Sequence, residues 1–206
     1  MRDRTPVRVA AVAAACAAAW VGWRYVDRAE PPPDASADAA TPSVPGAAPD
    51  ASGPAVEPNA VVLEIIDGDT MDVDLGGRRA TVRFLGIDTP EKTGGYLPAE
   101  CGGDAATRRT AELLPPGTEV LLQRDDELYD RYDRLLAYVY RADDGLFVNR
   151  YLVLDGYAAA MHFEPNTTHR AVLDAAQADA RAANRGIWSD CGGPDRPLAG
   201  AGSSTG

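Results

Sequence analysis

Hydrophobic and polar positions divide the chain into a patterned middle and two unpatterned ends. Val61-Val62-Leu63-Glu64-Ile65-Ile66 is a short, β-branched apolar run that stops at Asp67-Gly68, and Thr70 to Leu75 then alternates polar with apolar side chains. That pattern predicts a hairpin. Gly76-Gly77 supplies the next tight turn, and Ala80 to Ile87 predicts a third strand with Val82 and Phe84 facing opposite to Arg83, Leu85 and Ile87. Arginine in such a strand conflicts with burial of its face, a mismatch expected at functional sites. Asp104 to Leu114 predicts a helix halted by Pro115-Pro116-Gly117, Thr118 to Gln123 a fourth strand and Arg134 to Tyr140 a fifth. Val148 to Leu154 and the alanine-rich Thr168 to Asn184 predict two further helices, with Ile187 and Trp188 packing after Gly186. Five strands with helices placed late predict an α+β fold, a five-stranded OB-type Greek-key β-barrel with about three α-helices. Periodicity does not give the strand order.

The ends read differently. Arg2, Arg4 and Arg8 precede Val9 to Trp23, an uncharged, alanine-rich run that ends at Arg24. Residues 1–28 therefore read as an export signal peptide or signal anchor. As a helix the run would span roughly 22 Å against a hydrocarbon core of ~30 Å, and cleavage after Ala17-Ala18-Ala19 also suits the small-residue rule, so both forms stay open. Residues 29–59 are rich in Pro, Ala, Asp, Ser and Gly, cannot bury enough surface to offset their ordering entropy, and read as a disordered tether. Residues 192–206 have the same character, which leaves 60–191 as the folded domain. Such a chain is exported, either secreted or anchored to the outer face of the cytoplasmic membrane through an uncleaved N-terminal segment.

Charged residues within the domain sit at fixed distances: Asp67-Gly68-Asp69-Thr70, Arg83, Asp88-Thr89-Pro90-Glu91 and Asp130-Arg131-Tyr132-Asp133-Arg134. Asp-Gly alone is a common turn. A hairpin through Gly76-Gly77, however, brings Asp69 and Asp88 to one end of the sheet, with Arg83 on the same ribbon and Glu91 close behind. Carboxylates suit a hard cation and guanidinium groups suit phosphate oxygens, the parts of a metal-dependent phosphodiesterase. The only histidines, His162 and His169, lack spaced partners, which argues against zinc.

Together with Val148-Asn149, Pro165 to His169 and Gly186-Ile187-Trp188, these blocks make the stretch from Val61 to Trp188 resemble the staphylococcal nuclease family of calcium-dependent OB-fold phosphodiesterases. The resemblance implies that Asp69 and Asp88 bind Ca²⁺ by their side chains and Thr89 by its carbonyl. It implies that Glu91 activates the attacking water, that Arg83 and Arg134 hold the phosphate, and that Arg131, Tyr132 and Phe163 contact the substrate. DNA and RNA would be cut to products with 3′-phosphate and 5′-hydroxyl ends. Two departures stand out. Asp133 occupies a position where the family has glycine, and Met161 and Phe163 stand where the staphylococcal type has two tyrosines.

Net charge is −11, which argues against a non-specific grip on a polyanion and leaves affinity to the cation and local arginines. Arg108 and Arg109 read as a solvated helix face. With Cys16 in the N-terminal run set aside, Cys101 and Cys191 form an even pair that an oxidising compartment would join as a disulfide, two free thiols being the alternative. The chain is expected to act as a monomer. The competing function is a catalytically silent OB-fold that binds nucleic acid or protein, a role that gives Glu91 no task.

Overall fold

A computed structural model describes residues 54–198. Five strands close into a barrel: β1 (Ala60–Asp67), β2 (Thr70–Asp74), β3 (Arg79–Phe84), β5 (Glu119–Gln123) and β6 (Leu135–Arg141), in the order β1-β2-β3-β6-β5. Every neighbouring pair is antiparallel except β3 with β6, which run parallel. Helices α1 (Gly103–Leu113), α2 (Val148–Leu154) and α3 (Arg170–Ala182) pack around it, and α4 (Ile187–Asp190) is a single turn. This is the α+β, five-stranded barrel that the alternation predicts, with its inward positions Val62, Met71, Val73, Val82, Phe84 and Val139 buried.

The predicted third strand, Ala80 to Ile87, is in fact two. β3 ends at Phe84, Leu85 and Gly86 turn the chain with Gly86 at φ 75°, and β4 (Ile87–Asp88) leaves the barrel to pair with β7 (Ala159–Ala160). A Cβ on Gly86 would lie 2.4 Å from Leu173 Cδ1, so glycine is needed both for the φ and for the approach of α3. Apolar residues continue through the break, and so periodicity alone could not locate it. The turn is tied down by Asn149, fully buried, which accepts from Val139 N–H at 2.9 Å and donates to the Leu85 carbonyl at 2.8 Å. The Val148-Asn149 pair therefore serves the fold.

The proposed signal or anchor segment and most of the tether lie outside the described residues. Among the described residues no helix is long and apolar enough to cross a membrane. The first part of the segment read as a tail is fastened to the domain. Cys101 N–H donates to the Arg196 carbonyl at 2.7 Å, Leu198 N–H donates to Ala99 at 3.0 Å, and Glu100 bridges to Pro197. Cys101 and Cys191 are joined by a disulfide, with Cα atoms 5.8 Å apart across a separation of 90 residues.

Candidate active site

At one end of the barrel, β1 hands over to β2 through Gly68 and Asp69. Thr110 on α1 donates to the Gly68 carbonyl at 2.6 Å, and Thr107 donates to Asp67 Oδ1 at 3.0 Å, so the first helix holds this turn. Asp69 is buried. Its Oδ2 accepts from the Thr89 backbone N–H at 2.9 Å and the Thr89 hydroxyl at 3.0 Å, and its Oδ1 accepts from Thr70 at 3.1 Å. These bonds fasten the Asp88-Thr89 segment to the β1–β2 turn, with Gly68 as the point of contact. A Cβ on Gly68 would fall 2.7 Å from Thr89 Oγ1. We expect Gly68→Ala to push Thr89 off Asp69 and to destabilise the protein by about 1–3 kcal/mol, as overpacking does. Urea denaturation checks this, and an unchanged midpoint would show that the contact is not tight.

Arg83 links the two aspartates. The β2–β3 register sets it opposite Thr70, and its guanidinium lies 2.8 Å from Asp88 Oδ1 and 3.2 Å from Asp69 Oδ2. It also donates to the carbonyls of Phe84 at 2.8 Å and Ile87 at 2.9 Å. Those bonds fix a long side chain, 84% of it covered, in one pose (relative exposure 16%). Arg134 is set by Asp130, which accepts from its backbone N–H at 3.0 Å and from its guanidinium at 2.7 Å. These bonds outweigh burial and hold the Asp130 carboxyl below the usual range. Asp130, part of the charged block in the sequence but given no role there, is thus a positioning residue.

The parallel pairing of β3 with β6 puts Leu136 beside Arg83. Alternate residues of a strand share a face, so Arg134 comes to the same side of the ribbon as Arg83. Both line one cavity of about 940 Å³ together with Asp67, Asp69, Asp88, Glu91, Arg131 and Tyr132. A second cavity of about 490 Å³ adjoins it and brings in Phe163 and Met161. Asp133, at φ 62°, lies in the left-handed region, which explains a glycine preference there; aspartate is one of the few other residues that tolerates it. Arg131 lies 4.7 Å over the exposed Tyr132 ring and donates to its hydroxyl at 2.6 Å.

Glu91 opens a loop closed at its neck by Glu100, whose N–H donates to the Glu91 carbonyl at 2.9 Å and whose carboxylate accepts from Glu91 N–H at 3.2 Å. Behind it, a Cβ on Gly103 would fall 2.0 Å from the Glu91 carbonyl oxygen, so only glycine lets α1 start this close. Sequence patterns gave no sign of Glu100, Gly103, Thr107 or Thr110, because their partners are remote in the chain.

Asp67, Asp69, Asp88 and Glu91 line the cavity alongside Arg83, Lys92, Arg131 and Arg134. Burial, opposed by Arg83 and helped by Asp69, Asp195 and Glu91, pushes the Asp88 carboxyl up to about 6. Glu91 is raised by burial and then by Asp67, Asp69 and Glu100, and Asp67 is raised chiefly by burial. The carboxylates of Asp69 and Asp88, both on the cavity, are oxygen donors of the kind that suits a hard divalent ion. Among the described residues no three His, Cys, Asp or Glu side chains gather into a cage. His162 instead meets Asp174 at 2.8 Å, and His169 begins α3 against Tyr138. Arg109 bonds Glu112 at 2.9 Å and the Tyr151 hydroxyl, away from the cavity.

Residues 81–190 match the family described as staphylococcal nuclease homologue. The thermonuclease of Staphylococcus intermedius is 36% identical over 128 residues, which cover 62% of this chain and 74% of that one. The thermonuclease of Staphylococcus hyicus is 34% identical over 129 residues, 63% and 75% of the two chains. Endonuclease YncB of Bacillus subtilis is 35% identical over 135 residues, 65% and 63%.

Proposed function

The chain belongs to the staphylococcal nuclease family, and we propose that it is a Ca²⁺-dependent endonuclease that hydrolyses DNA and RNA to 3′-phosphate and 5′-hydroxyl ends. The observation that carries this reading is the convergence of Arg83, Arg134, Asp69, Asp88 and Glu91 on one cavity. Asp69, Asp88 and the Thr89 carbonyl would hold the ion, which supplies positive charge to the phosphate as charge builds on its oxygens. Glu91 takes a proton from the attacking water, whose oxygen forms the new bond to phosphorus. The bond to the 5′-oxygen breaks, and that oxygen takes a proton from solvent water and leaves as a hydroxyl. Arg83 and Arg134 hold the equatorial oxygens; each is fixed by carboxylates, so little reorganisation is needed as the reaction proceeds.

The cysteine bridge supports work in an oxidising compartment outside the cytoplasm. Degradation of single-stranded DNA in millimolar Ca²⁺, in EGTA and in Mg²⁺ tests the proposal. Cleavage is expected in Ca²⁺, none in EGTA, and much less in Mg²⁺, which is smaller and stricter in geometry. Equal rates in all three would overturn the calcium dependence. Calcium affinity is expected near the ~10⁻⁴ to 10⁻³ M of extracellular modules, because the shell is thin.

A further inference from the structure

Between the neck at Glu91 and Glu100 the loop runs Thr93-Gly94-Gly95-Tyr96-Leu97-Pro98 along the rim of the main cavity. Its tip is unlike the rest of the site. Tyr96 is fully exposed and Leu97 is 59% exposed, side by side, where a folded loop ordinarily turns such groups inward. Gly94 and Gly95 precede them, Gly94 at φ 73°, and a Cβ on Gly94 would meet nothing within 4 Å. The base of the loop is firmly held: besides the Glu91–Glu100 pair, Thr93 donates to Asp104 through its N–H and its hydroxyl, both at 2.9 Å. The tip is therefore free to adjust without moving Glu91.

The cations in this cavity already have partners. Arg83 meets Asp69 and Asp88, Arg134 meets Asp130, Lys92 donates to the Ile66 carbonyl, and Arg131 lies on Tyr132. Arg83 and Arg134 are paired with carboxylates, so in a chain of net charge −11 phosphates beyond the scissile one have Lys92 and Arg131, each on a neutral partner, as the cavity's uncompensated cations. Aromatic faces can supply the grip that charge does not, because every base has a face on which to stack. Tyr132 and Phe163 supply such faces on one side, at 64% and 70% exposure. Tyr96 lines the main cavity together with Tyr132 but comes from a different segment.

We propose that Tyr96 is a substrate-binding residue, which stacks on a base of the polynucleotide held in the cleft shared with Tyr132. The inference deepens the nuclease reading and rests on it for the identity of the ligand. The test uses the full chain carrying Glu91→Gln, to suppress cleavage, with Ca²⁺ and fluorescein-labelled octathymidylate followed by anisotropy. Tyr96→Ala is expected to weaken binding about tenfold and Tyr96→Phe to leave it within about twofold, since the ring and not the hydroxyl does the stacking. With Glu91 intact, the Tyr96→Ala loss is expected in KM rather than kcat, because the neck keeps Glu91 in place. Unaltered binding by Tyr96→Ala, in a protein that cleaves DNA, would overturn the stacking role and leave the nuclease reading standing. Tyr96-dependent binding, where the chain with Glu91 intact fails to cleave in Ca²⁺, would do the reverse, and no binding by the Glu91→Gln parent would overturn the stacking role.

Discussion

Glu91→Gln is expected to lower kcat on single-stranded DNA by about 10²- to 10⁴-fold, the usual contribution of a positioned general base. The substitution keeps the size and shape of the side chain and leaves the backbone bonds to Glu100 untouched. What it removes is the capacity to accept a proton. Without a bound ion, burial and the neighbouring Asp67, Asp69 and Glu100 raise the Glu91 carboxyl, and a divalent cation beside it would act against that rise. Steady-state kinetics in Ca²⁺, with circular dichroism to confirm folding, measures the effect. KM should change little, because Arg83 and Arg134 are the residues proposed to hold the phosphate. A kcat within a few-fold of the parent would remove Glu91 from the chemistry and shift attention to Asp67, which lines the same cavity.

Loss of the Cys101–Cys191 bond is expected to be the largest single blow to stability. The bridge closes a loop across a separation of 90 residues. In the chain-entropy account, freeing a loop of that length costs about 4 to 5 kcal/mol, a large share of the ~5–15 kcal/mol that holds a typical domain together. Its effect reaches the site. Cys101 adjoins Glu100, which clasps Glu91, and it bonds to the Arg196 carbonyl on the segment that follows Cys191. Denaturant titration of the oxidised protein and of the Cys101→Ala, Cys191→Ala double variant measures the stability difference. Kinetics at a temperature where both are folded should show a further fall in kcat. Coincident unfolding curves would sink the structural role, and unchanged kcat despite a large loss of stability would show that the neck holds without the bridge.

Most of the barrel was legible in the sequence because its determinants are local. Alternation in Thr70 to Leu75, Gly76-Gly77 as a turn and the Pro115-Pro116-Gly117 stop each act within a few residues, and apart from the broken third strand the strands and helices follow within about two residues of the predicted limits. The candidate site residues were legible because their types and spacing match a family, and because charge on a strand otherwise built for burial attracts notice. The tertiary structure decided what depends on contacts between distant segments. The break at Gly86 lies where Leu173 of α3 packs close to the backbone, a contact between segments remote in the chain. The parallel pairing of β3 with β6 brings Arg134 to the side of Arg83, although about fifty residues separate them in the chain, and no local pattern encodes that choice. The clasp of Glu91 by Glu100 and Gly103, the hold of α1 on Gly68, and the return of residues 193–198 to the domain are of the same kind. Local preference fixes which residues make strands and helices, whereas the meeting of remote groups is settled by the free energy of the whole packed chain.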